Sequence, residues 1–126
     1  MSRPSYTPDT AAHDVEATLH LLEGRWKLII LFHLFDGTVL RFSELERAIP
    51  AITQKMLGQQ LKALEADGIV IRTDHGQVPP KVDYRLTEWG QALCPALDAL
   101  LIWAEQRPAE TSVAADIITP GSPDHP

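Results

Sequence analysis

Apolar positions recur along the chain in two rhythms, and the change from one to the other lays out the elements. Val15, Leu19 and Leu22 fall at i, i+4 and i+7, one face of an amphipathic helix that Glu23-Gly24 ends. Residues 25–35 are apolar nearly all round, through Trp26, Leu28, Ile29, Ile30, Leu31, Phe32 and Leu34. Such a helix is expected to be central and covered on most sides. Asp36-Gly37 stops it, and residues 38–42 fit a short strand. Ser43, with Glu46 three residues on, has capping-box spacing and opens a short helix that ends at Ile49-Pro50. After the turn Pro50-Ala51-Ile52, Thr53 can cap a longer helix with Leu57, Leu61 and Leu64 inward, stopped by Asp67-Gly68. The rhythm then shortens: residues 69–73 are β-branched, and residues 82–86 alternate apolar with polar. Between them, His75-Gly76-Gln77-Val78-Pro79-Pro80 is too long and too proline-rich for a tight hairpin, so it should project as a loop. Thr87 caps a last helix reaching about Glu105, with Trp89, Leu93, Leu97, Leu100 and Trp103-Ala104 along one side. Pro95 inside it should bend it.

The predicted class is mainly α with a small β wing. A short helix, a three-residue turn and a longer helix with a polar outer side form a helix-turn-helix, and the two strands with their projecting loop make it a winged one. In that arrangement the second helix fits the major groove with its first turn facing base edges. Thr53, Gln54, Lys55, Gly58, Gln59 and Lys62 lie away from the leucine side. Gln can pair with adenine, Lys can reach guanine or a phosphate, and Gly58 lets the backbone approach closely. Arg72 and Lys81 flank the loop, which would lie along neighbouring phosphates or the minor groove. Arg41, Ser43 and His75 complete the candidate DNA-binding set. As a lone helix, the Gln54, Lys55, Gln59 and Lys62 face would be an ordinary solvated surface; the turn and the wing beside it favour the groove.

Length and charge bound this picture. At 126 residues and 14.0 kDa there is room for one core, placed at residues 12–106. Residues 1–11 read as a flexible arm and 107–126 as a flexible tail, with 113–118 the stretch apolar enough to pack down. Hydrophobic residues at 44% and charged ones at 22% are an ordinary soluble balance. No apolar run is long enough to span a bilayer, no secretory leader is expected, and the one cysteine, Cys94, cannot form an intrachain disulfide. A cytoplasmic protein is expected. The net charge of −6 opposes binding to a polyanion, but its distribution does not. From Arg41 to Arg85 basic residues outnumber acidic ones by one, so the negative excess lies outside the candidate interface.

Several blocks carry a family resemblance. Leu22-Glu23-Gly24-Arg25-Trp26-Lys27-Leu28, Arg41-Phe42-Ser43-Glu44-Leu45 and Gln54-Lys55-Met56-Leu57 with Leu61 and Leu64-Glu65 come in order. Val78-Pro79-Pro80-Lys81-Val82-Asp83-Tyr84-Arg85-Leu86-Thr87 and a last helix with Pro95, Leu97, Leu100 and Trp103 follow. Together, over about residues 13–105, they resemble the HxlR-type winged helix-turn-helix transcriptional regulators. The resemblance implies a bacterial-type homodimer whose first and last helices form a two-fold interface, each subunit reading one half of a near-palindromic promoter site. Val15, Leu19, Leu22, Leu97, Leu100, Leu101 and Trp103 are the candidate interface residues. Independently, the consecutive apolar run Leu100, Leu101, Ile102 and Trp103 cannot all be buried by one chain. Repression or activation are both open, and a small-molecule effector that shifts the two reading helices is compatible with the pattern.

The chain departs from that family at two places. His13 stands where many members have a cysteine that in some senses oxidants or electrophiles, and His75-Gly76 stands where the family tends to have an aromatic and a proline in the wing. Cys94 reads as a small buried hydrophobe rather than a redox switch. His13, His20 and His33 lack the tight spacing of metal ligands, and no metal or cofactor is implied. Trp26, Trp89 and Trp103 fit core or interface better than a ligand pocket. Catalysis finds no support: there is no phosphate-binding glycine loop, no G-x-S-x-G, no H-E-x-x-H and no Cys/His cluster. The rival is a dimeric winged-helix module that binds protein and not DNA, which the acidic balance favours.

Overall fold

A computed structural model describes residues 5–109. The elements are α1 (Pro8–Leu21), α2 (Lys27–Leu34), β1 (Leu40–Arg41), α3 (Phe42–Ala48), α4 (Gln54–Ala66), β2 (Val70–Asp74), β3 (Val82–Leu86) and α5 (Glu88–Glu105). The strands form one antiparallel sheet in the order β1-β3-β2, with Arg41 and Thr73 flanking Asp83, and Leu40 and Arg72 flanking Tyr84. The chain falls into two compact units, Met1–Gln91 and Ala92–Pro126.

The core of the first unit follows the predicted leucine positions. Ile30, Leu31 and Leu34 of α2, Leu45 of α3 and Leu57, Leu61 and Leu64 of α4 are buried, with Val70, Tyr84 and Leu86 from the sheet. Fully burying one such aliphatic side chain is worth about 1.5–3 kcal/mol, so this cluster fixes the α3–α4 pair on the sheet. The β3–α5 corner is tied twice. Thr87 Oγ1 accepts from the Gly90 N–H (2.9 Å) and donates to the Gly68 carbonyl (2.8 Å), while the Thr87 N–H donates to the Ile69 carbonyl (3.0 Å). Gly90, buried at this corner, has to be glycine because a Cβ would fall on the Ile69 carbonyl oxygen.

Three expectations are corrected. The first helix begins at Pro8, inside the stretch read as an arm. Thr7 and Thr10 cap it reciprocally: the Thr10 N–H donates to Thr7 Oγ1 (3.2 Å) and the Thr7 N–H to Thr10 Oγ1 (2.9 Å), with Pro8 at the first helical position. The third helix opens at Phe42, so Ser43 and Glu46 lie inside it; Glu44 Oε1 instead accepts from the Arg41 N–H (2.8 Å). Pairing of β1 with β3 ends the strand at Arg41, and that sets the helix register. The all-apolar α2 is not covered on most sides within one chain. Leu28, Ile29 and Phe32 are 42%, 40% and 43% exposed.

In the second unit α5 runs on through Pro95 as continuous helix, with Leu97 buried and Leu100, Leu101, Ile102 and Trp103 exposed. Cys94 is half-buried, not buried, and its thiol faces Asp98 Oδ2 at 3.9 Å. The expected tail lies, beyond Ala109, outside the described residues, as does the 113–118 stretch.

Candidate nucleic-acid interface

The helix-turn-helix is α3, a turn and α4. Ile49 and Ile52 are buried beneath the turn, and the Ile52 N–H donates to the Ile49 carbonyl (3.0 Å). These two anchors hold the turn down and lift the start of α4 outward. Thr53 caps α4 by accepting from the Met56 N–H (3.1 Å), as expected from its place before the leucine face. Because Leu57, Leu61 and Leu64 face inward, the helical period turns Thr53, Gln54, Lys55, Gln59 and Lys62 to the exposed side, with Gly58 half-buried among them. A Cβ on Gly58 would meet nothing within 4 Å. The first turn of α4 carries no acidic residue, so nothing offsets the positive end of its dipole.

The wing is built by β2 and β3. The His75 N–H donates to the Lys81 carbonyl (2.9 Å), carrying the ladder one pair beyond Asp74 and Val82. Residues 76–80 beyond it are exposed, and Val78 is 97% exposed. The loop projects, as its length and prolines predicted. Strand alternation places Tyr84 and Leu86 on the core face and Lys81, Asp83 and Arg85 on the other. Register adds Arg41, Thr73 and His75 to that outer side and puts Arg72 on the opposite one. The expected set thus divides: Arg41, His75 and Lys81 share a face, whereas Arg72 leaves the hairpin from the other. Ser43 is exposed on the first turn of α3. Sequence reasoning missed Arg85, exposed and on the face of Lys81; the Lys81-x-Asp83-x-Arg85 alternation was the signal.

Of the residues named for an interface between subunits, Val15, Leu19, Leu100, Leu101 and Trp103 are exposed and Leu22 is half-buried. Leu97 is 6% exposed in the single chain. Of the three tryptophans, Trp26 is core, with the Arg25 guanidinium 4.7 Å over its ring. A cavity of about 480 Å³ touches Trp103 with Ala104, Gln106, Arg107 and Pro108, and neither of the other tryptophans. Among the described residues no three His, Cys, Asp or Glu side chains cluster as metal ligands, and His20 pairs with Glu23 (2.8 Å). No helix among them is long and apolar enough to cross a membrane.

A helix-turn-helix with an outward polar face on its second helix, followed by a β2–β3 wing whose sheet is completed by the short β1, is the architecture of a winged-helix transcriptional regulator. Comparison with known proteins gives the family. The model of the HxlR-like helix-turn-helix family matches residues 21–112, and the chain belongs to that family. It is 55% identical over 89 residues to the HTH-type transcriptional regulator YtcD of Bacillus subtilis (strain 168), covering 71% of this chain and 70% of that one. Among solved structures it is similar to the redox regulator HypR in its reduced form, with TM-score 0.67 and 48% identity over 73% of this chain and 90% of that one. It is also similar to the reduced form of the transcriptional regulator YodB from B. subtilis, with TM-score 0.71 and 35% identity over 86% of this chain and all of that one. The family is one of helix-turn-helix proteins, and YtcD and YodB are transcriptional regulators rather than enzymes.

Proposed function

We propose that the protein works in the cytoplasm as a homodimer that occupies a near-palindromic promoter site and controls transcription by that occupancy. Thr53, Gln54, Lys55, Gly58, Gln59 and Lys62 enter the major groove, while the wing and the Arg41 and Ser43 end of α3 hold the phosphate backbone. The observation that carries the dimer is that α1, fourteen residues long, buries none of them. A helix is stable in water mainly through a buried apolar face, so Val15 and Leu19 call for cover from a partner. On α5, Leu100 is 51% and Trp103 71% exposed, a second apolar surface that a second copy would close. A two-fold pair of this kind presents its recognition helices about 34 Å apart, one turn of DNA. An effector, where one acts, changes the spacing or tilt of those helices.

The rival, a protein-binding module, draws on the net charge of −6. Fluorescence anisotropy against the DNA upstream of the protein's own gene, at two salt concentrations and with random DNA as control, separates the two. Salt-sensitive binding with a clear preference for the upstream duplex supports the regulator, because displaced counterions make phosphate contacts weaken as salt rises. Salt-independent or absent binding to every duplex supports the module.

A further inference from the structure

We propose that Asp83 is the positioning residue of the wing: it holds His75, and through His75 the projecting end of the hairpin, where Arg41, Lys81 and Arg85 can meet a phosphate backbone. This rests on the DNA-binding reading above and assigns a part to two residues outside the recognition helix.

Asp83 is a buried charged side chain, 8% exposed, at the centre of the sheet's outer face. A carboxylate in that position needs a hydrogen-bonded partner, because an uncompensated charge out of water is costly. Its partner is His75, whose Nε2 lies 2.7 Å from Asp83 Oδ2. The same histidine donates its backbone N–H to Lys81, and Asp74 Oδ1 accepts from the Gly76 N–H (2.9 Å) to start the loop. His75 is therefore pinned by main chain and side chain at the point where the ladder stops. Beyond it, residues 76–80 bury nothing. Among the described residues the His75–Asp83 bond is the one hydrogen bond between two side chains that ties this end of the hairpin to the central strand.

The surroundings of Asp83 argue against a mere ion pair. Register and alternation bring Arg41, Lys81 and Arg85 to the same face, yet among the described residues no carboxylate lies within 4 Å of their guanidinium or ammonium nitrogens. Asp83 is committed to the histidine, and the three cations stay available. Phosphate contacts fix the orientation of a DNA-binding protein, so holding that face in place serves docking directly.

Two roles for Asp83 predict opposite signs. A carboxylate that merely faces phosphate repels it, and Asp83→Asn would then tighten binding. A carboxylate that positions the wing loses that hold as the amide, and binding weakens. The experiment uses the full chain with Asp83→Asn, His75→Ala, His75→Gln and the double variant Asp83→Asn with His75→Ala. Hydrogen–deuterium exchange over residues 75–82 is read in the free protein, and anisotropy is read with the fluorescent upstream duplex. Expected are faster wing exchange and about tenfold weaker binding in Asp83→Asn and in His75→Ala, with the double variant no worse than either. His75→Gln, whose amide can still donate to Asp83, restores most of both. Unchanged exchange in Asp83→Asn and His75→Ala overturns the clamp. Faster exchange with equal or tighter binding overturns its role in docking. Wild-type protein that fails to bind any duplex brings down the DNA reading and that role with it, while exchange still decides whether the clamp exists.

Discussion

Gly58→Ala should make the protein more stable and a poorer DNA binder, and the two effects come from separate features of one position. Gly58 is the fifth residue of α4, inside the helix, where glycine costs about 0.8–1 kcal/mol relative to alanine. Nothing in the chain repays that cost, since a Cβ there meets no atom within 4 Å. The fold alone therefore favours alanine by roughly 0.5–1 kcal/mol, which raises the melting temperature by about 3–6 °C for a domain of this size. The residue makes sense when something outside the chain comes close to the backbone, as a base edge would between Lys55 and Gln59. A methyl group forced into such a contact costs about 1–3 kcal/mol, or roughly tenfold to hundredfold in affinity. Melts of both proteins at one fixed protomer concentration, to hold any dimer equilibrium constant, and anisotropy with the upstream duplex read the two effects. Higher stability with unchanged affinity would refute docking through this side of α4. Lower stability would refute the claim that the chain itself does not need the glycine.

Gly90→Ala should have the opposite effect on folding: its Cβ would fall on the Ile69 carbonyl oxygen that Thr87 uses, so a loss of about 2–3 kcal/mol is expected in denaturant melts despite alanine's helix preference. Lys55→Ala and Arg85→Ala should each weaken duplex binding and reduce the slope of log affinity against log salt by about 1, with the dimer intact by sedimentation. Equal slopes in both variants and the wild type would count against phosphate or base contact by these two side chains. Trp103→Asp, at a side chain 71% exposed in the single chain, should leave the fold melting normally while raising the dimer dissociation constant by about a hundredfold or more.

The order of elements was legible because each boundary is marked by local chemistry: Thr53 and Thr87 cap the helices that follow them, and glycine stands at 37 and 68, both with positive φ. The inner face of α4 was legible because three leucines at helical spacing allow only one rotation of that helix. What escaped depends on neighbours far along the chain. Ser43 and Glu46 have the same spacing as Arg41 and Glu44, and only the pairing of β1 with β3 decides which glutamate serves the helix start. The His75–Asp83 bond joins residues eight apart across an irregular loop, a distance that no periodicity reports. Arg85 was missed because the strand was read for its apolar positions, while its polar ones define the outer face. For α2, composition reported that the helix needs cover all round, but not that one chain leaves Leu28, Ile29 and Phe32 partly bare.

Those bare residues and the charge distribution lead to one view of how an acidic protein can serve DNA. The field of the whole chain, at −6, pushes a polyanion away and gives no long-range steering. Attraction has to be assembled at contact range, within a Debye length of about 8–10 Å. The chain does this by omission as much as by adding cations. α1, α3 and α5 each carry an acidic residue in the first turn, Asp9, Glu44 and Glu88, which favours those helices. α2 and α4 carry none there, and on the exposed start of α4 Lys55 stands in the first turn instead, so its positive end stays uncompensated. The one carboxylate on the wing's outer face is buried under a histidine. On the proposed docking, acidity elsewhere would act as a filter: only a duplex that fits the helix start and the wing together would gain enough short-range attraction to overcome the global repulsion, so the same charge pattern would give weak non-specific binding and selectivity for a matching site.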